Sequence, residues 1–228
     1  MNILGIETST RRASLAVAAD GALLAEVVLP GDSNPSAQLL PALDGLLKKC
    51  GLVPRDIGGI AAGTGPGSFT GIRIGLATAR GLSAARGMPI RGVGGFDNLL
   101  AGYVGGDAAR VCPLVDAHSY GVYAAVYERE GTGYRRVKAP FVCRPDALPG
   151  LVEGEVFFMG PHLGRFRELL AGLFGSRASF DAGDRFPAAS TAALLFDGPA
   201  ALRDDPPGTV APLYLLPGVR VKSVTRKP

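Results

Sequence analysis

The tightest constraint on this chain is a short pattern that it states twice. Ile3 to Glu7 is an apolar run ending in an acid, followed by the polar turn Thr8 to Arg12 and a second run, Ala13 to Ala19. Val111 to Val115 is again an apolar run; it ends at Asp116 and leads through a turn into Val122 to Tyr127. A shift of 109 residues lays Asp116 on Glu7 and Tyr123-Ala124-Ala125-Val126 on Ser14-Leu15-Ala16-Val17. Glu130-Gly131 then falls within one residue of Asp20-Gly21. Short apolar runs bounded by turn signals read as buried strands. The repeat therefore predicts two duplicated α/β lobes. The boundary falls in the Gly-rich stretch Gly102 to Asp107, giving lobes over 1–103 and 104–228.

Other elements follow from local chemistry. Asp20-Gly21 is a two-residue hairpin signal, so Leu23 to Leu29 makes a third strand. Asn34 can cap a helix and Pro35 suits its first position, where no amide hydrogen is needed. Leu39, Leu40, Leu43, Leu46 and Leu47 recur at helical spacing up to Lys49, and Gly51 ends the helix. Pro41 predicts a kink or a later start. Ile57 to Gly63 reads as a fourth strand and Gly71 to Arg86 as a second helix, for an order β-β-β-α-β-α. Beyond Gly154 the pattern gives a strand at Val156 to Met159, helices over Gly164 to Phe174 and Ser190 to Phe196, and an extended tail.

Composition narrows the class. Of 228 residues 47% are hydrophobic and 19% charged, which fits a soluble globular protein. Cys50, Cys112 and Cys143 form no CxxC pair, so neither a disulfide framework nor a zinc site is predicted. Glu7 interrupts the first apolar stretch, which argues against a signal peptide, and no run approaches a membrane span. A cytoplasmic location is expected. The net charge of +4 is mild, and its clearest cluster is Arg220, Lys222, Arg226 and Lys227. That tail reads as a solvated terminus or as a secondary contact to nucleic acid.

The segment GTGPGSFTGIRIG, Gly63 to Gly75, links an apolar strand to a helix, a setting in which backbone amides receive anions. Gly65 and Gly67 flank Pro66 and allow close backbone approach; Ser68 or Thr70 can cap the helix. The segment has no Lys, so it is not a P-loop. The sixth places counted from Gly63 and Gly65 are Ser68 and Thr70, so it is not a dinucleotide fingerprint. It is either a strand–helix connection or a nucleotide contact through Glu7, Gly65, Gly67 and Ser68. Within the helix, Gly71, Gly75, Ala79 and Ser83 share one face, open to close approach by the chain's own sheet or by another subunit. Gly75 inside a helix costs about 0.8–1 kcal/mol against Ala, which implies a packing purpose.

Other constellations carry less. Ser68, His118 and Asp116 make a triad only on paper, with no G-x-S-x-G elbow. His118 reads as a turn residue and His162 as a surface or capping residue. Tyr120, Tyr123 and Tyr127 read as packing rather than a stacking platform.

Several segments together resemble the TsaB (YeaZ) family. They are LGIETST (4–10), LLP (39–41), GTGPGSFTGIRIG, MPIRGV (88–93), VDAHSYGVYAAVY (115–127) and APLYL (211–215). The chain departs from the family at Pro35-Ser36, where a His often precedes LLP, and at Leu216, where Arg often follows Tyr-Leu. The resemblance implies a two-lobed actin-like, sugar-kinase-like (ribonuclease H-like) fold. It implies a non-catalytic subunit that binds and activates a TsaD-like ATPase in threonylcarbamoyl transfer to the tRNA adenosine beside the anticodon. A TsaE-like ATPase assists, and tRNA is met through the complex. ATP and metal are expected on the TsaD-like partner, with no cofactor here. The partner's two metal-binding His positions fall on Gly95 and Leu99, which offer no ligand. The expected contact is a bundle of two helices from each partner, using Leu39, Leu43, Leu46, Gly71, Gly75, Ala79, Leu82 and Ser83 here. The same face is expected to form a homodimer when the chain is alone. The alternative is an independent actin-like ATPase or small-molecule kinase using Glu7, Asp116 and the Gly65–Gly67 loop.

Overall fold

The computed structural model describes residues 1–31, 35–103, 106–197 and 210–215. The chain opens on an antiparallel meander of β1 (Asn2–Glu7), β2 (Ser14–Ala19) and β3 (Ala22–Val28). Asp20 and Gly21, at φ 50° and 79°, make the tight turn between the last two. Then come α1 (Pro35–Lys49), β4 (Ile57–Gly65), α2 (Phe69–Arg86), β5 (Ile90–Gly94) and α3 (Gly95–Ala101). The second lobe holds β6 (Arg110–Asp116), β7 (Val122–Glu130), β8 (Gly133–Cys143), β9 (Val156–Met159), α4 (Leu163–Phe174) and β10 (Ala178–Phe180). The helix α5 (Ala189–Leu194) follows.

The two sheets have one topology. The first is ordered β3-β2-β1-β4-β5 and the second β8-β7-β6-β9-β10. In each, the first three strands are mutually antiparallel and the last two join the first in parallel. This is the duplicated, two-lobed actin-like α/β architecture. One detail of the repeat is corrected. Glu7 lies opposite Ser14 while Asp116 lies opposite Val122, because the second turn is one residue shorter. Val122, rather than Tyr123, therefore corresponds to Ser14.

α1 runs unbroken through Pro41, so the later start is not found. The cap predicted at Asn34 lies outside the described residues, as do Leu216 and the basic tail from Arg220 to Lys227. The boundary stretch Gly102 to Asp107 falls between α3 and β6, with residues 104 and 105 outside the description. The division at 103/104 does not match the packing, however. α5 rests on β1, β2 and β4, and residues 210–213 return to α2 and β4, so the first lobe is discontinuous in sequence.

The elements stack in layers. α1 and α2 cover one face of the first sheet through Leu39, Leu43, Leu46, Ile72 and Leu76. α5 covers the other, where Gly5 leaves no room for a Cβ beside the Ala189 carbonyl. α3 packs Phe96, Leu99 and Leu100 on one face of the second sheet, and α4 packs on its far face. The lobes meet through α3 and α5. Asn98 donates from Nδ2 to the Ala188 carbonyl and accepts the Ala188 N–H at Oδ1, both at 2.9 Å. Beside it, the fully buried Asp97 accepts Tyr127 Oη at 2.7 Å and Arg136 Nη2 at 2.6 Å.

Removing one partner of a buried ion pair strands the other. Asp97→Ala is therefore expected to lower the unfolding free energy by about 3 kcal/mol in urea melts. A loss under about 0.5 kcal/mol, the usual effect of a surface change, would show that the junction does not depend on it.

Candidate functional site

The glycine-rich segment is built against the end of β1. Gly63, on β4 beside β1, has its α-carbon turned to the Glu7 carboxyl, which occupies the space a Cβ would need. Gly65 has φ +96° and is joined to Pro66 by a cis peptide. The Ser9 carbonyl fills the place of a side chain at Gly67 and accepts the Ser68 N–H at 2.7 Å. Ser68 caps α2, its Oγ accepting the Gly71 N–H at 3.2 Å. Gly71 and Gly75 then abut the Thr8 carbonyl and hydroxyl, and Thr8 Oγ1 donates to the Gly71 carbonyl at 2.8 Å.

Glu7 and Asp116 hold the same turn in the two lobes. Glu7 Oε1 accepts the Ser9 N–H at 2.7 Å, and Asp116 Oδ1 accepts the His118 N–H at 2.8 Å. Their surroundings differ. Asp116 also pairs with Arg165 at 2.5 Å. Glu7 is wholly buried, and its Oε2 and the neighbouring Ser9 Oγ lack hydrogen-bond partners. Burial pushes the Glu7 carboxyl above its ordinary range, against the lowering effect of the Ser9 and Thr8 bonds. Among the described residues no hydrogen bond or ion pair joins the two acids.

The donor set does not fit a nucleotide phosphate. The turn's concave side is filled by Thr8 and Ser9, and the orphaned oxygen belongs to a buried carboxyl with no cation beside it among the described residues. A polyphosphate inside the turn would meet the Ser9 carbonyl and the Glu7 carboxyl. Among the described residues no three His, Cys, Asp or Glu side chains converge, and Gly95 and Leu99 are buried in α3. Ser68 spends its hydroxyl on the α2 cap, while Asp116 and His118 lie in the other lobe. His118 is an exposed turn residue at φ 55°. His162, at φ 61°, stands at the N-terminus of α4 without a side-chain cap bond. Tyr123 and Tyr127 are core residues and Tyr120 is exposed.

The residues predicted to dock a partner are mostly spent inside the lobe. Leu39, Leu43, Leu46 and Ala79 are core, Gly71 and Gly75 are pressed on Thr8, and Leu82 is half-buried against the same core. Ser83 donates to the Met88 carbonyl at 2.6 Å. The row Gly71, Gly75, Ala79, Ser83 thus serves packing on the chain's own sheet, and its reading as an outward face is corrected. α2 carries a second row at the same spacing: Ala77, Gly81 and Ala85, joined by Ala84, all exposed. On α1 the exposed positions include Ala37, Leu40, Pro41 and Gly45, with Leu40 at 56%. A Cβ at Gly45 or Gly81 would meet nothing. α1 and α2 pack on each other, and each leaves apolar or small residues exposed. The sequence held the signal, since both rows recur every four residues; only the position of the sheet tells which one is outside.

Comparison with known proteins places these features. The family described as "TsaD: tRNA N6-adenosine threonylcarbamoyltransferase" matches residues 28–160, over half the chain. The Bacillus subtilis tRNA threonylcarbamoyladenosine biosynthesis protein TsaB is 29% identical over 180 residues, 78% of each chain. The Escherichia coli protein of the same name is 36% identical over 134 residues, 58% of each. The solved structure of YeaZ from Pseudomonas aeruginosa superposes with a TM-score of 0.69 at 27% identity, covering 86% of this chain and 90% of that one. A second Pseudomonas aeruginosa structure, described as uncharacterised with similarity to peptidase YEAZ, has a TM-score of 0.76 at 24% identity. It covers 94% of this chain and 99% of that one, and shows the shared fold.

The state of Glu7 gives a test. Its folded-state pKa is raised, so stability is fully present below the ordinary carboxylate value near 4.5 and falls as pH climbs from there through the raised value. Glu7→Gln keeps an acceptor for the Ser9 N–H and removes that loss. The variant is expected to melt above the native chain at about pH 7.5, with the margin shrinking toward about pH 4. Thermal melts across that range check it; a margin that grew toward acid would contradict the assignment.

Proposed function

The chain belongs to the TsaB (YeaZ) family, and from that premise we propose that it is a non-catalytic subunit that binds and activates a TsaD-like ATPase. Its role lies in threonylcarbamoyladenosine biosynthesis on tRNA, as part of the modification machinery. In the proposed division of labour the partner holds ATP and metal and transfers the threonylcarbamoyl group to the adenosine beside the anticodon. This chain has no cofactor of its own. A TsaE-like ATPase and tRNA join the same assembly.

One observation carries the reading: Leu40 and Pro41 on α1 and Ala77, Gly81, Ala84 and Ala85 on α2 are all exposed, on two helices that pack on each other. Small residues at every fourth place let a second helix pair approach closely, and an exposed apolar surface of this kind marks an interaction site. The TsaD match implies that the partner shares this scaffold. Two related chains then pair through equivalent helices as a pseudo-symmetric four-helix contact, and two copies of this chain do so when the partner is missing. The same residues count against an independent ATPase. Glu7 has no cation beside it among the described residues, and Asp116 is held by Arg165.

Gly75 and Gly81 separate docking from folding. Gly81→Leu places its side chain in open space, so the monomer is expected to keep its melting temperature and to lose co-purification with the TsaD-like partner. Gly75→Leu drives a side chain into Thr8 and Ile6 and is expected to destabilise the chain, by the 1–3 kcal/mol typical of overpacking (about) or more. Undiminished co-purification by Gly81→Leu counts against the interface. Mg-ATP turnover by the chain alone, abolished in Glu7→Ala, would overturn the non-catalytic role.

A further inference from the structure

A cluster of different chemistry lies at the start of α2, in line with the row Ala77, Gly81 and Ala85. Residues 210–215 cross this helix as an irregular strap: Val210 is buried in the first-lobe core, Leu213 N–H donates to the Thr64 carbonyl at 2.9 Å, and Arg80 Nη2 donates to the Val210 carbonyl. Where the strap passes the start of α2, Tyr214 meets Phe69 with ring centroids 5.1 Å apart and planes at 35°. The Arg73 guanidinium lies 4.0 Å over the Phe69 ring and donates from Nε to Tyr214 Oη at 3.1 Å. Phe69 is 52% exposed and Tyr214 44%. Two aromatic rings and an arginine are thus fixed on one another at the surface, with about half of each aromatic residue exposed.

The geometry points to an RNA contact: we propose that Phe69, Arg73 and Tyr214 take an unpaired base and its phosphate from the tRNA on which the assembly acts. The inference rests on the tRNA-modifying role argued above. Arg73 is held by its ring stack and its Nε, and its two terminal nitrogens carry no bond among the described residues. That edge is the one guanidinium uses to grip phosphate. Arg80 stands two helical turns further on the same flank, and α2 contains Arg73, Arg80 and Arg86 without a single Asp or Glu. The only acid on α1, Asp44, is tied to Lys48 at 2.7 Å. A guanidinium with a free edge beside exposed rings is an arrangement that binds single-stranded nucleic acid, through phosphate neutralisation and stacking. Phe69 and Arg73 continue the row of Ala77, Gly81 and Ala85 at the same spacing, and what distinguishes this end of α2 is its chemistry: two rings and a guanidinium in place of small residues.

The test is fluorescence anisotropy with an end-labelled tRNA transcript, titrated with the full chain alone and with its TsaD-like partner bound, over a range of salt. Phe69→Ala and Tyr214→Ala are each expected to weaken binding about 5- to 100-fold, the range for losing one stacked base. Tyr214→Phe keeps the ring and is expected to recover most of that loss. Arg73→Gln is expected to lower the slope of log affinity against log salt by about 0.7–0.9, one phosphate contact. Co-purification with the TsaD-like partner should be unchanged throughout. Unaltered affinity and slope in all four variants overturn the proposal. So does a fall in co-purification that tracks the loss of tRNA binding, which would make the cluster part of the protein interface. Failure of the native chain to bind its partner would instead strike the subunit reading, and the titration of the chain alone would still decide the RNA contact.

Discussion

Two neighbouring polar residues on a seven-residue helix hold the two lobes of this protein together. On α3, Asp97 faces the second sheet and takes Tyr127 and Arg136, while Asn98 pairs in both directions with the backbone of Ala188, just ahead of α5. A buried carboxylate and a buried amide are tolerable only when their bonds are made. Each bond here needs a different element in place. The second sheet must present β7 and β8 to Asp97, and the chain must leave that sheet and return to the first for Asn98 to be satisfied. α5 is then delivered onto β1 and β2, where Ala189 N–H meets Ser14 Oγ at 2.9 Å and Ser190 meets Glu26.

That return explains why the glycine-rich segment is closed rather than open. β1 is covered on one side by α5, against Gly5, and on the other by α2, against Gly71 and Gly75. Between two such close approaches the end of β1 has little room, and Thr8 and Ser9 fill the concavity that a phosphate loop leaves empty. The face of α2 turned away from the sheet stays open. One small-residue row therefore bears on folding, and the other is the one proposed for association.

Much of the architecture was legible in the sequence. The repeated strand–acid–turn, the Asp20-Gly21 hairpin, the leucines of α1 and the Ser68 cap are local signals, and local signals are what periodicity and turn chemistry report. The misses have physical causes. β5, Ile90 to Gly94, carries two glycines and an arginine in five residues, so it lacks a strand's apolar signature. β8 alternates charged and apolar residues but is interrupted by Pro140, a residue tolerated there because the strand lies at the sheet edge. The docking residues were misplaced for a different reason. Helical spacing names the rows of a face, yet Gly71-Gly75-Ala79-Ser83 and Ala77-Gly81-Ala85 obey one rule, and only tertiary packing breaks the tie. The Phe69–Arg73–Tyr214 cluster joins positions 141 residues apart, which no window on the sequence contains.

The duplication also explains the odd chemistry of Glu7. In both lobes a strand-end acid accepts an N–H two residues on, beside a parallel strand that turns through Gly-Pro into a helix: Gly65-Pro66 before α2, Gly160-Pro161 before α4. The third residue of α4 is Arg165, which reaches Asp116 and forms an ion pair with it. The third residue of α2 is Gly71, chosen for its fit against Thr8, and it brings no cation to Glu7. The same scaffold position thus serves an ion pair in one lobe and a close helix–strand contact in the other. Since the tight contact excludes the arginine, Glu7 is buried without an ion-pair partner among the described residues, and burial pushes its pKa above the ordinary range.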